Sequence, residues 1–357
     1  MQSPLRIAIL APPWFDIPPT GYGGTESMCA ELIGPLVEFG HEVFLISASK
    51  AGTSARHITT YDSLQWKRLG EPFPEVTHIA TAARILDDLA VDIVHDHTLA
   101  GPLLARGRSV PTILTLHGQL GGEFGTYYRE IGNTADLVAI SDSQRASAPD
   151  LNWRATIYNA IRVDDYKFSA RKEDFILFVG RCSIEKGMHI AIDIARSSGQ
   201  KIKLAAKCND PQEIEYFKSE IEPRLGSEVE WLGEVGGEEK KHLLANAKCL
   251  LFPIQWDEPF GMVMIEAMAS GTPVVALNRG SVPEVIQDGV TGFICNSIKE
   301  FPSAIYRSDS LNPGLCRKNA LAKFDSRVMA ANYVDVYRDC ISRSLARQQA
   351  TRTSSSN

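Results

Sequence analysis

Short unbroken apolar runs recur along this chain, each followed by a stretch long enough for a helix, and that alternation leaves few folds open. In the first half the runs are RIAIL, EVFLIS, DIVHDH, TILTLHG, LVAIS and ATIYN, with helical stretches over 24–39, 76–90 and 98–106. Continuous apolar strands alternating with helices predict parallel sheets covered on both faces. A second series follows: FILFVG, KIKLAA, VEWLG, CLLFPI, PVVAL and TGFIC, interleaved with helices over 188–198, 211–225, 238–246, 260–270 and near 282–287. Between the two, AIRVDDYKFSARKED (160–174) turns polar and charged, which places the domain junction there. With 357 residues, more than one core usually supports, the expectation is an α/β protein of two Rossmann-like doubly wound domains facing a central cleft. The boundaries read as 1–160 and 161–320, then a helix over 321–346 free to cross back to the first domain, and a disordered tail over 347–357.

Charge narrows the partners. Residues 1–170 carry 13 Lys/Arg against 19 Asp/Glu and the remainder 24 of each, so the net −6 sits wholly in the first half. Nucleic acid demands clustered positive charge and is excluded as a partner; docking on anionic lipid is disfavoured by the same balance. Seven cysteines are scattered singly without a C-x-x-C pair, which suits a reducing compartment and argues against structural zinc. No apolar stretch reaches the length of a membrane span and the amino-terminal run is too short for a signal peptide, so a cytoplasmic location is expected. Oligomeric state is not encoded in any of this.

The densest functional signal is EPFGMVMIE, residues 258–266, directly after CLLFPI. Pro259 suits the first turn of a helix, Gly261 leaves the backbone bare, and Gly271 with Pro273 marks the helix end. Amide groups near Phe260, Gly261, Met262 and Val263 would then lack helical acceptors, a ready site for phosphate or sugar hydroxyls. If 259–266 is helical, Glu258 and Glu266 stand about 10 Å apart along the axis, far for the paired acids of a glycoside hydrolase but suited to the two ends of a nucleotide sugar. Two solvated glutamates on an amphipathic helix is the plainer alternative.

Other candidates cluster at strand ends. Gly23 and Gly24 precede a helix and permit close approach of a phosphate, or simply make a turn. Arg181 closes FILFVG and Lys186 follows five residues on; two cations there suit a diphosphate, although Arg181 could instead pair with Glu185. His117 closes TILTLHG. His95 and His97 flank Asp96, but without a third clear ligand they do not make a metal site. Trp14, Tyr22, Tyr127, Tyr128 and Arg129 lie in first-half loops able to shape an acceptor pocket.

The order GYGGTE (21–26), VGRCSIEKG (179–187), VEWLGEV (229–235), EPFGMVMIEAMASGTPVVA (258–276) and GVTGFI (289–294) resembles glycosyltransferase family 4, retaining enzymes of GT-B architecture. That resemblance implies transfer of a hexosyl group from a nucleoside diphosphate sugar of UDP or GDP type to an acceptor hydroxyl of a sugar or metabolite, with no metal and no cofactor. It implies that Arg181 and Lys186 hold the diphosphate, Glu266 the ribose and Glu258 the transferred sugar, with His117 beside the hexose. Residues around Leu232 and Gly233 would line the base. An epimerase or hydrolase of nucleotide sugars, or a non-catalytic binder, are the alternatives.

Overall fold

The computed structural model describes residues 3–21, 23–48 and 51–354, and each apolar run of the sequence contributes to a parallel strand. The chain forms two units: Ala160–Asp325, and the residues before it together with a carboxyl-terminal helix.

The first unit runs β1 (Arg6–Leu10), α1 (Gly24–Glu38), β2 (Glu42–Ser47), β3 (Arg56–Thr59), α2 (Pro72–Asp88), β4 (Ile93–Asp96), β5 (Thr112–Leu116), α3 (Gly122–Ile131), β6 (Asp136–Ala139), α4 (Asp142–Ser147) and β7 (Trp153–Thr156). Its sheet has the order β3-β2-β1-β4-β5-β6-β7, so the winding reverses between β1 and β4. β1, β4 and β5 are buried almost throughout, as their apolar runs require. The edge strand β3, RHIT, is exposed at both ends and too polar to be recognised from its sequence. The helix expected over 98–106 is only a short 3-10 turn, Gly101–Leu104. A Cβ on Gly101 would lie 1.8 Å from Asp96 Oδ2, so the turn is pressed onto β4 instead of extending as a helix.

The second unit runs β8 (Ile176–Arg181), α5 (Met188–Ser197), β9 (Ile202–Lys207), α6 (Pro211–Tyr216), β10 (Val229–Gly233), α7 (Gly237–Asn246), β11 (Leu250–Phe252), α8 (Met262–Ala269), β12 (Val274–Leu277), α9 (Val282–Val285), β13 (Gly292–Cys295), α10 (Phe301–Ser308) and α11 (Pro313–Lys323). Its sheet order is β10-β9-β8-β11-β12-β13, with the reversal between β8 and β11. The helix expected over 211–225 breaks after Tyr216 into a π turn and a 3-10 turn at Glu222–Arg224, where Pro223 has no amide to donate.

The helical stretch expected over 321–346 is the end of α11 and then a separate helix, α12 (Ser326–Ser354), which runs through residues read as an unstructured tail. Along α12, Met329, Ala330, Tyr333, Tyr337 and Cys340 recur at helical spacing and are buried; α12 packs on α1, whose Met28, Cys29, Leu32, Ile33 and Leu36 are buried in turn. Among the described residues no helix is long and apolar enough to cross a membrane.

Candidate active site

Open parallel sheets bind ligands at the carboxyl ends of strands where the winding reverses. In the second unit that point is the pair β8 and β11, and the segments leaving both strands are stitched together. Gly187, left-handed at φ 73°, sits so close to the next segment that a Cβ would lie 2.3 Å from the Pro253 carbonyl oxygen. The Gln255 amide donates to the Glu185 carbonyl at 2.8 Å. Lys186 is thereby delivered onto the β11 side: its Nζ lies 2.5 Å from Glu258 Oε2 and 5.1 Å from the Trp256 ring centroid. Trp256 Nε1 donates to the same carboxylate oxygen at 2.8 Å. The side chains of the ion pair are 17% and 12% exposed, so the pair stands at a surface yet largely out of water.

A second contact fixes Glu258. Gly280 has φ 54°, and a Cβ there would lie 2.4 and 2.5 Å from the carbonyl oxygen and amide nitrogen of Glu258. The Ser281 amide donates to the Glu258 carbonyl at 3.0 Å and its hydroxyl to the Phe260 carbonyl at 2.6 Å. Gly261 is left-handed at φ 79° and forms the N-cap of α8, which therefore begins at Met262. Pro259 lies outside the helix, so the axial spacing inferred for Glu258 and Glu266 does not apply: the first is in a loop and the second in the helix. Phe260 contributes only main chain, because its ring is buried and meets Phe324 edge-on at 5.9 Å. Met262 and Val263, in the first turn of α8, are half-buried.

The remaining candidates of this unit are positioned differently. Glu266 is buried; Lys240 Nζ lies 2.7–2.8 Å from its two oxygens, and the Tyr166 hydroxyl donates to Oε1 at 3.2 Å. Arg181 pairs with Glu185 at 2.8 Å and Glu213 at 3.5 Å while its side chain stays 40% exposed. Leu232 and Gly233 end β10 at an irregular register, half-buried, with Gly233 at φ 73°.

In the first unit the reversal point lies between β1 and β4. Trp14, Phe15, Gly23, Gly24, Glu26 and Glu75 are among the residues lining a cavity of about 280 Å³ there. Glu26 is buried, and burial raises its carboxyl to about 7 against the opposing pull of backbone hydrogen bonds from Glu26 itself and Phe15. Beside β4 and β5 the histidines form a chain. His95 bonds the Tyr337 hydroxyl at 2.7 Å and the Thr115 hydroxyl at 2.8 Å, and its ring lies 4.0 Å from that of His97. His97 Nδ1 and His117 Nε2 are 3.0 Å apart. Burial lowers all three, His117 to about 4, which keeps the imidazoles neutral at neutral pH. Gln144 brackets His117 by donating to the Leu116 and Gly118 carbonyls at 2.9 and 2.8 Å.

The acceptor candidates are not all brought together. The Tyr127 hydroxyl donates to the carbonyl of Leu99, a residue lining the same cavity. Tyr128 packs against the core beneath β5, and Arg129 pairs with Asp150 at 2.6 Å on the surface. Tyr22 lies outside the described residues. Among the described residues no group of three His, Cys, Asp or Glu side chains is arranged to hold a metal.

Sequence reading missed Lys240, Tyr166, Trp256 and Gln144 as supports. Only Trp256, two residues before Glu258, carried a local signal.

The Glu26 carboxyl yields a pH prediction. In the unfolded chain it ionises near 4.5, in the folded protein near 7. Folding is unaffected below the lower value and loses stability as pH rises between the two, because only the unfolded state gains the ionised form. Glu26→Gln is expected to raise stability by up to about 3 kcal/mol at pH 8 and by nothing at pH 4; denaturant titration at the two pH values measures it, and an equal effect at both would refute the assignment.

Comparison with known proteins finds relatives of both units. A family model described as "Glycosyltransferase Family 4" matches residues 22–164 and one described as "Glycosyl transferases group 1" matches 164–304. An uncharacterised glycosyltransferase of Methanocaldococcus jannaschii is 27% identical over 277 residues, covering 68% of this chain and 78% of its own length. The crystal structure of AviGT4, a glycosyltransferase involved in avilamycin A biosynthesis, is 28% identical with a TM-score of 0.72, covering 95% of this chain and 98% of that one. That of Anabaena HepE in complex with UDP-glucose shares the fold at a TM-score of 0.73 and 18% identity, covering 94% and 100%.

Proposed function

We propose, from the premise that this chain is a glycosyltransferase of the family 4 type with the GT-B fold, that it moves a hexosyl group from a UDP- or GDP-sugar to an acceptor hydroxyl with retention at the anomeric carbon. The observation that carries this reading is the meeting of Lys186, Glu258 and the first turn of α8 at the β8/β11 reversal point.

The bond from the anomeric carbon to the diphosphate oxygen breaks while the acceptor oxygen attaches on the same face, and the acceptor proton passes to the departing phosphate. Lys186 has three ammonium hydrogens, so it keeps Glu258 oriented with one and offers others to the growing negative charge. The amides opening α8 add to that stabilisation, as does Arg181. Glu258 accepts from hexose hydroxyls and Glu266, braced by Lys240 and Tyr166, from the ribose. In this scheme side chains and amides supply the positive charge, so no metal is needed. A UDP donor is favoured because the HepE structure holds UDP-glucose.

The test is a thermal-shift screen of UDP, GDP and ADP, followed by NMR of the product anomer formed from the matching donor with and without EDTA. Retention and undiminished turnover in EDTA are expected. Inversion or loss with EDTA would overturn the mechanism. Epimer or free sugar as the sole product, with every acceptor tried, would favour the nucleotide-sugar epimerase or hydrolase reading.

A further inference from the structure

A second cavity of the first unit, larger than the one beside Glu26, lies at the end of the sheet away from His117. It measures about 490 Å³, within the range of small-molecule sites. Thr112 and Asp136, which line it, are the first residues of β5 and β6, whereas His117 follows the last residue of β5. The cavity therefore sits at the amino ends of the strands, where the glycosyl-transfer site is not built.

Four arginines line it: Arg106, Arg108, Arg343 and Arg347. The acids lining it are Glu130 and Asp136, so positive charge is in excess. Asp136 is engaged by Arg343 at 2.6 Å. Among the described residues Arg106, Arg108 and Arg347 have no carboxylate within ion-pair distance. Arg108 is half-buried, aligned by bonds to the Thr112 hydroxyl at 3.1 Å and the Leu104 carbonyl at 3.4 Å. Gln348 donates to the Ser109 carbonyl at 2.9 Å, which ties α12 to the loop carrying Arg106 and Arg108 and sets both walls.

Asp96 and Asp87 act on Arg108 only through space, so its partly buried guanidinium has no carboxylate bonded to it, and arginine forks match phosphate oxygens two at a time. We propose that this cavity binds a small phosphomonoester, separate from the donor. The same α12 whose Arg343 and Arg347 line the cavity carries Tyr337, which holds His95. Occupancy is thus positioned to be felt at the histidine chain.

The probe is glucose 6-phosphate, titrated calorimetrically into the full chain with UDP present at saturation, glucose serving as the uncharged control. Vesicles of phosphatidylcholine with and without phosphatidylglycerol form a separate arm, since lipid headgroups share the phosphate chemistry. Binding of glucose 6-phosphate but not glucose is expected, weakened about tenfold or more by Arg108→Gln and by Arg347→Gln. Arg56→Gln, on a surface ion pair with Glu42 at the β3 edge, is expected to change nothing, and UDP affinity is expected to stay constant in every variant. Circular dichroism melts check folding, and the exposed Arg347 gives a readout should Arg108→Gln not fold. Absence of glucose 6-phosphate binding, indifference to both substitutions, or binding to phosphatidylglycerol vesicles alone would overturn the proposal. Loss of UDP binding by the wild-type chain would instead count against the donor site and leave this cavity's result readable.

Discussion

Lys186→Ala is expected to lower kcat by about 10²–10³-fold with a smaller change in KM. Removing one preorganised donor to a developing oxyanion costs on that order, and the loss falls on the transition state because charge grows only as the diphosphate departs. A structural penalty accompanies it. Glu258, 12% exposed in its side chain, keeps the hydrogen bond from Trp256 Nε1 but loses its cation, and stranding a half-buried carboxylate costs roughly 1–3 kcal/mol. The two effects separate experimentally: Lys186→Met removes the charge with similar bulk, and Glu258→Gln combined with Lys186→Ala relieves the stranded charge without restoring turnover. Wild-type kcat in Lys186→Ala, with donor confirmed bound, would remove the lysine from the chemistry.

Gly280→Ala is expected to be nearly as damaging to turnover although it deletes no functional group. The glycine occupies φ 54°, and the added carbon would meet the Glu258 backbone at 2.4–2.8 Å including the preceding Asp257 carbonyl carbon. Backbone cannot step aside as a flexible side chain can, so the 257–260 loop must shift. A displacement near 1 Å at a positioned carboxylate costs on the order of 10² in rate. Steady-state kinetics alongside the melting temperature decide the matter: a large fall in kcat with donor binding largely kept is the expected pattern. Full activity would mean that the loop is not held by this contact.

The sequence shows the sheets plainly where strands are buried on both faces, and hides what lies at edges. RIAIL and FILFVG could be nothing but interior strands, whereas RHIT reads as loop because its solvent-facing positions are polar. The EPFGMVMIE segment marks the candidate site but not its geometry. Proline's preference for a first helical turn suggested a start at Pro259; the left-handed Gly261 and the close approach of Gly280 override it, and α8 begins at Met262. Lys186 and Glu258, read as separate grips on two parts of a ligand, are partners of each other. Lys240 could not be found at all: in GEEKK it looks like any solvated cation, and only folding brings α7 beside Glu266. The same holds for Tyr166, which sits in the polar stretch taken for a linker and donates to that carboxylate.

Because α12 follows the whole second unit in sequence yet completes the first, the ribosome finishes Ala160–Asp325 before the amino-terminal unit has its final wall. Until then Met28, Leu32 and Leu36 of α1 have no α12 to cover them. A transcript cut short after residue 325 would yield a normal Ala160–Asp325 unit joined to a sticky, chaperone-dependent partner. Stop codons between residues 325 and 340 are thus predicted to leave the first unit without its covering helix while sparing the second.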